Sequence, residues 1–242
     1  MIPAIDHPWQ LTEVEATDLQ LKLAKQVIKT NQLDTINTIA GVDVAYDKHS
    51  DKLVAAVVVL DANTLEVIET ASAKDIEQFP YIPGLFSFRE LPPLIKAFEQ
   101  LKHKVDLIVC DGQGYAHPRR FGLACHLGVL FDTPTIGCGK TKLLGEPQDP
   151  LAAKRGNAVD LVDNDEVIGR ELRTQDDIKP VFVSIGHKID LDTACEWLLK
   201  LSPKYRLPET TRQADQLVKN YLRFKVFILF TKQSQHCASV FI

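Results

Sequence analysis

The chain has 242 residues, 45% of them hydrophobic and 25% charged, with a net charge of −4. This is the composition of an ordinary soluble globular protein long enough to bury a core, and it excludes a broadly basic nucleic-acid binder, a low-complexity chain and, with no uncharged apolar run near ~20 residues, a membrane span. The five cysteines (Cys110, Cys125, Cys138, Cys195, Cys237) are scattered and lack a C-x-x-C pair; they argue against a zinc site or disulfide framework and, with no signal peptide at the start, for the cytoplasm.

Thr12 and Glu15 have capping-box spacing, and Ala16, Leu19, Leu23 and Val27 fall on one face of the helix that follows. Three strands are predicted next: Ile39 to Ala45, the nearly all-apolar Lys52 to Leu60, and Leu65 to Ala71 after the turn-like Asp61-Ala62-Asn63-Thr64. Their short connections indicate an antiparallel meander. Phe79-Pro80-Tyr81-Ile82-Pro83-Gly84 is a stiff loop, because proline fixes φ and has no N–H to donate. A helix over Phe88 to Leu101 follows, with Pro92 and Pro93 in its first turn, where missing donors cost little.

Leu107 to Cys110 is a short buried strand ending in Asp111-Gly112-Gln113-Gly114. A helix over Gly122 to Phe131 and a strand over Pro134 to Cys138 come next, then a hairpin of Val159 to Val162 and Val167 to Arg173. A strand at Val181 to Ser184 and helices over Leu191 to Leu201 and Thr210 to Phe224 complete the pattern. With no linker or repeat, residues 1–242 read as one α/β domain, a mixed sheet with helices on its faces. The apolar ending, residues 225–242, fits none of these elements; an extra strand and a contact surface both remain open.

Asp43 stands between Val42 and Val44 in an apolar strand, where a buried charge is expensive unless paired or bound to metal. Asp111 lies just past the end of another strand, the usual edge for active sites in α/β sheets, and Glu90 begins the helix between them. Taken singly, each acid reads as structural. Taken together, three converging oxygen ligands without His or Cys suit magnesium or manganese. His117 reads either as a structural residue or as a group that bonds phosphate or transfers a proton. Lys140 is placed to neutralise charge on a scissile phosphate. Gly137-Cys138-Gly139-Lys140-Thr141 is no P-loop, since Pro134 stands where that motif needs glycine. The Pro80–Pro83 tip reads either as a turn packed on the core or as a stiff apolar wedge between bases. Arg119-Arg120, Lys140 with Lys142, Lys154-Arg155, and Arg206 with Arg212 are local basic patches, each a solvated surface or a nucleic-acid contact.

Gly41-Val42-Asp43-Val44-Ala45-Tyr46, Pro80-Tyr81-Ile82-Pro83-Gly84 through Phe88-Arg89-Glu90, Asp111-Gly112-Gln113-Gly114 with His117-Pro118-Arg119-Arg120, Gly137 to Thr141, and Arg206-Leu207-Pro208-Glu209-Thr210-Thr211-Arg212 resemble the bacterial endonuclease V family, in the family's order. The resemblance implies a ribonuclease H-like fold and Mg²⁺-dependent repair of DNA containing deoxyinosine, with Mn²⁺ a substitute. It implies a nick at the second phosphodiester bond 3′ to the lesion. By the same match Asp43, Glu90 and Asp111 are the metal ligands, and His117 and Lys140 support catalysis. Tyr81, with Pro80, Ile82 and Pro83, is the wedge, and Gly84, Gly112 and Gly114 lie around the pocket for the flipped base. Asp215 stands where some members have histidine, which implies a metal-side role. The expected partner is damaged DNA, with inosine-containing RNA as an alternative, and the expected state is a monomer away from any membrane. A related nuclease acting on RNA or branched DNA, and a non-catalytic lesion binder, are the competing readings.

Overall fold

The structure, a computed structural model, describes residues 1–221. In chain order its elements are α1 (Glu13–Ala24), β1 (Thr38–Tyr46), β2 (Lys52–Asp61), β3 (Val67–Ile76), α2 (Phe86–Phe98), β4 (Leu107–Cys110), α3 (Leu123–Phe131), β5 (Thr135–Gly139), β6 (Glu146–Pro147), β7 (Ala158–Asp163), β8 (Glu166–Leu172), β9 (Val181–His187) and α4 (Leu191–Leu201). A further helix, α5, begins at 209 and runs to the last described residue, 221. The apolar stretch 225–242 lies outside the described residues.

The apolar run of β2 is buried from Leu53 to Leu60, because it has packed layers on both faces and paired strands on both edges. Strand order is β3-β2-β1-β4-β5-β9-β8-β7-β6. β1, β2 and β3 form the expected antiparallel meander, β1, β4 and β5 run parallel, and β5 to β9 turns antiparallel again. Ala40, Val42 and Val44 of β1 meet Leu91 and Leu94 of α2 and Leu127 of α3 on one face. On the other, Ile39, Val109 and Ile136 meet Ala194 and Leu198 of α4, and Val58 and Leu60 meet Ala214 of α5. This is the mixed ribonuclease H-like sheet with helices on both faces.

Several boundaries move: β3 runs on to Ile76, α2 stops at Phe98 and β9 reaches His187, and three further shifts have local reasons. The Asp61 carboxylate accepts from the Asn63 and Thr64 amides at 2.8 and 2.9 Å, and Leu65 takes φ +60°, so β3 starts two residues later than its apolar pattern implied. Pro83-Gly84 forms a turn closed by the Leu85 amide on the Ile82 carbonyl at 3.0 Å, with Gly84 at φ +82°, and α2 begins directly after it at Phe86. Pro92 and Pro93 are therefore inside α2 rather than in its first turn, and Glu90 sits a turn into the helix. The prolines remove the donors for the Phe88 and Arg89 carbonyls, so α2 depends on burial of Leu91, Pro93, Leu94, Ala97 and Phe98. Lastly, α1 ends at Ala24, and Val27 packs against its exit rather than on its face.

The segment before α1 straps across α2 and α3. The Met1 ammonium donates to the Phe98 carbonyl at 2.7 Å and the Ala4 amide to Leu130 at 2.8 Å. His7 Nε2 meets Nε2 of the buried His126 at 2.8 Å. The other nitrogens fix the proton positions. His7 Nδ1 faces the Pro8 carbonyl, which only accepts, so it carries hydrogen and its Nε2 accepts from His126. His126 Nδ1 then accepts from the Ser87 hydroxyl at 2.9 Å. Burial holds both imidazoles below their ordinary pKa, with each ring's proton already committed.

Candidate active site

Strand pairing brings the first two acids together. The parallel register sets Val42 beside Cys110, so Asp111 emerges past the end of β4 next to Asp43, which stays within β1. Val42 and Val44 face α2 and α3, which turns Asp43 toward α4 and α5. Gly41 is required here, since a Cβ would stand 2.2 Å from the Thr210 carbonyl oxygen. Its absence lets α5 begin against β1 and carry Asp215 to the Asp43 carboxylate. Burial, then the charges of Asp111 and Asp215, push the Asp43 pKa up to about 7 despite the nearby Lys140.

Glu90 enters from the opposite face. It is buried and accepts from the Tyr46 hydroxyl at 3.1 Å. Burial raises its pKa well above the carboxylate range against the pull of that hydrogen bond, and Asp43 and Asp111 add to the rise. The preceding Arg89 pairs with Glu77 and lies over the Tyr46 ring, 4.6 Å from its centroid. Lys140, one residue past β5, places its ammonium on the Asp111 carboxylate. Burial works against that charge, yet Asp111, Asp43 and Asp215 together hold its pKa above the ordinary lysine value.

The donor set is therefore four carboxylates, with Lys140 on Asp111 and Lys219 on Asp215, and burial, then the neighbouring acids, raise the pKa values of Asp43 and Glu90. Carboxylate oxygens with no sulfur or imidazole fit a hard divalent cation. As placed, Lys140 occupies Asp111, and no three acidic, His or Cys side chains among the described residues are arranged around a single ion. The residues fit such an ion in chemistry and charge, with Lys140 standing in for part of it.

Beside the acids lies a cavity of about 430 Å³ lined by Tyr81, Pro83, Gly84, Phe86, Gly112 and His117, among others. Tyr81 is 66% exposed at its lip, in edge contact with Phe86 at 6.4 Å between centroids. Pro80 and Pro83 are exposed with it, whereas Ile82 packs inward against the cluster of Phe79, Leu85 and Phe88. The tip is thus a single aromatic on a proline frame, anchored by the isoleucine expected to share its exposure. Gly112 opens to the cavity. Gly114 lies a layer behind it, packed so closely on β9 that a Cβ would stand 2.1 Å from the Ile185 carbonyl oxygen.

The carbonyl of Gly84 is held from two elements. Gln20 of α1 donates to it at 2.9 Å and Arg119 Nη2 at 2.8 Å. The Gln20 amide also donates to the Phe121 carbonyl at 2.7 Å and accepts from Arg119 Nε. His117 Nε2 faces Gly84, and its Nδ1 accepts from the Arg119 amide at 3.2 Å. Burial, then Arg119, lowers its pKa to about 4, so the ring is neutral at pH 7 and braces the cavity wall. Gln20 escaped the sequence reading altogether, because its role exists only once α1 docks onto a loop 64 residues away.

A second cavity of about 660 Å³ lies against the same acids, lined by Asp111, Lys140, Tyr205, Arg206, Arg212, Asp215 and Lys219. Asp111 and Lys140 line both cavities. Of the four basic patches, Lys140 with Lys142 and Arg206 with Arg212 line these cavities. Arg120 is paired with Asp163 and Glu166, and Arg155 bonds the Leu199 and Ser202 carbonyls at the end of α4, which makes them structural.

Acids gathered at the end of a ribonuclease H-like sheet, with a lysine among them and two clefts meeting there, define a phosphodiester-cleaving nuclease. Residues 21–216 match the family model described as Endonuclease V. The chain is 53% identical over 213 residues to the Endonuclease V of Nocardia farcinica, covering 88% of this chain and 93% of that one. The crystal structure of Endonuclease V from Streptomyces avermitilis superposes with a TM-score of 0.86 at 49% identity, covering 92% of this chain and 98% of that one. Endonuclease V of Ciona intestinalis, in complex with a 24mer DNA containing an inosine followed by a ribo-adenosine, has a TM-score of 0.78 at 29% identity over 87% and 97% of the two chains. This chain belongs to the endonuclease V family, a family of nucleases in which metal dependence is typical. No helix among the described residues is long and apolar enough to cross a membrane.

Proposed function

We propose that this protein nicks DNA at deoxyinosine, cutting the second phosphodiester bond 3′ to the lesion, with Mg²⁺ as the ordinary metal and Mn²⁺ as a substitute. One observation carries the reading: the cavity beneath Tyr81 and the acidic cluster share Asp111 and Lys140 as a common wall. A base held in that cavity places the backbone of its own strand against the carboxylates.

In this reading Tyr81 fills the space left by the extruded base. Opening a pair costs a few kcal/mol and least at a weak one, which favours inosine over a matched pair. Gly84, Gly112 and the neutral His117 form the walls of the base pocket, with Gln20 and Arg119 keeping Gly84 in place. Asp43, Glu90 and Asp111 would hold the metal, with Asp215 beside them; when bound, it supplies an activated water and neutralises charge on the phosphate. Lys140 contributes a second positive charge at the phosphate. Water adds across one P–O ester bond, leaving a hydroxyl on one fragment and a phosphate monoester on the other. We take the protein to act as a monomer, with 1–242 a single domain, in the cytoplasm.

The test is a nicking assay on a duplex with one inosine and on its matched control, with and without Mg²⁺. A single nick near the inosine that needs the metal is expected. Equal cutting of the control rejects the lesion assignment. Inosine-containing RNA is the second substrate to run alongside, since the Ciona intestinalis relative was crystallised on a strand with a ribonucleotide after the inosine.

A further inference from the structure

The 660 Å³ cavity beyond Asp111 and Lys140 is not used by the base pocket. Tyr205 lines it and is 41% exposed. The Arg212 guanidinium lies 3.6 Å from the centroid of that ring, while Glu209 accepts from Arg212 at 2.6 Å and fixes its orientation. The exposed Lys204 approaches the ring loosely at 5.4 Å, on a stem long enough to swing aside. An aromatic ring backed by a guanidinium is a flat platform whose orientation is set before a ligand arrives.

Besides Lys140, three cations, Arg206, Arg212 and Lys219, line the cavity around it. Arg206 donates to the Lys140 carbonyl at 2.6 Å and the Pro180 carbonyl at 2.7 Å. Both partners are neutral, so these bonds fix the guanidinium without cancelling its charge. They also tie the Tyr205 loop to Lys140, the residue shared by both cavities. Lys219 stands farther along the wall, paired with Asp215 at 2.6 Å.

Resting on the proposed reading, in which one strand runs from the base pocket past Asp111, we infer that this second cavity binds the nucleotide on the far side of the cut. Its base stacks on Tyr205, and its phosphates lie along Arg206, Arg212 and Lys219. The two cavities then hold one strand on either side of the scissile bond. Stacking ignores base identity, which suits a position where lesion repair demands no sequence.

The experiment crosses a protein change with a substrate change. Wild type and Tyr205→Ala are assayed for kcat/KM on inosine duplexes with either a normal or an abasic nucleotide immediately 3′ of the cut. Each single change should lower kcat/KM about tenfold. The two together should cost no more than either alone, because both remove one stack. Tyr205→Phe keeps the ring and should cut at near wild-type rates, and thermal melting of each variant checks its fold. Losses that multiply, or a Tyr205→Ala enzyme as active as wild type, overturn the inference. Wild type on matched DNA runs on the same gels: lesion-dependent cutting with multiplied losses sinks this site alone, whereas cutting without regard to inosine sinks the base-pocket reading and this site with it.

Discussion

The two cavities that meet at Asp111 and Lys140 are built by opposite means. The one beneath Tyr81 is lined by four glycines among larger side chains, and its key carbonyl, that of Gly84, is clamped by Gln20 and Arg119. His117 in its wall is neutral at pH 7, and the cavity's charges, Asp111, Lys140 and Lys142, stand on the side of the acids. The other is walled by long side chains, Arg206, Arg212 and Lys219, around one aromatic ring. A cavity shaped by clamped backbone discriminates shape, while one that offers an aromatic face and cations takes any nucleotide. In the proposed reading the first cavity selects and the second grips, with chemistry where they join.

The junction is where a break is costliest. Asp43→Ala or Asp111→Ala should reduce metal-dependent nicking by about 10³-fold or more while the fold survives, since each removes buried negative charge. Single-turnover rates beside circular dichroism spectra measure both; a variant that nicks within tenfold of wild type would falsify the assignment. Tyr81→Ala should weaken binding to inosine-containing DNA about tenfold, the worth of one aromatic–base contact. Binding titrations that show the same loss on matched DNA would make Tyr81 a general contact instead of a wedge.

The cavity beneath Tyr81 has its own weak point in Gln20. Gln20→Ala takes the side-chain donor from the Phe121 carbonyl and leaves the Gly84 carbonyl to Arg119 alone, and should cost about 2 kcal/mol of stability in urea unfolding. It should also raise KM for inosine duplexes more than it lowers kcat. A fall confined to kcat would argue that the clamp acts on the acids rather than on the pocket.

The smallest effect expected is that of pH on the amino-terminal strap. His126 and His7 are held below their ordinary pKa by burial. The unfolded chain therefore binds protons that the folded chain refuses. The stability this pair contributes is complete above about pH 6.5 and declines as pH falls below it, by about 1.4 kcal/mol per unit for each proton. His126→Gln should flatten the slope of unfolding free energy between pH 7.5 and 5.5 relative to wild type. The comparison of slopes cancels the carboxylates, whose raised values act in the opposite sense. Parallel slopes would show that His126 is not the titrating group.

Much of the junction was legible in the sequence because its logic is local. An aspartate inside an apolar strand, and another at a strand's end, declare themselves through alternation and position. The sheet followed from the all-apolar β2 and the short connections around it. What stayed hidden depends on docking between distant segments. Gln20 is an unremarked polar residue on α1 until the helix meets Gly84. Ile82 looked as exposed as Tyr81 until Phe79 and Phe88 closed beneath it. The start of α2 carried no signal, because Leu85 caps it without a side-chain hydrogen bond and the Pro83-Gly84 turn alone sets the boundary. Gly41 was legible as a motif, but its reason, the approach of Thr210, belongs to a helix far along the chain.

In the proposed reading one strand passes through both cavities and is cut where they meet. Mapping the cut to single-nucleotide resolution tests it most directly, on duplexes in which a single inosine is moved stepwise along a fixed sequence. The nick should move with the inosine and keep a constant offset of two phosphodiester bonds on its 3′ side. A nick that stays at one sequence position, or an offset that changes with flanking bases, would contradict it.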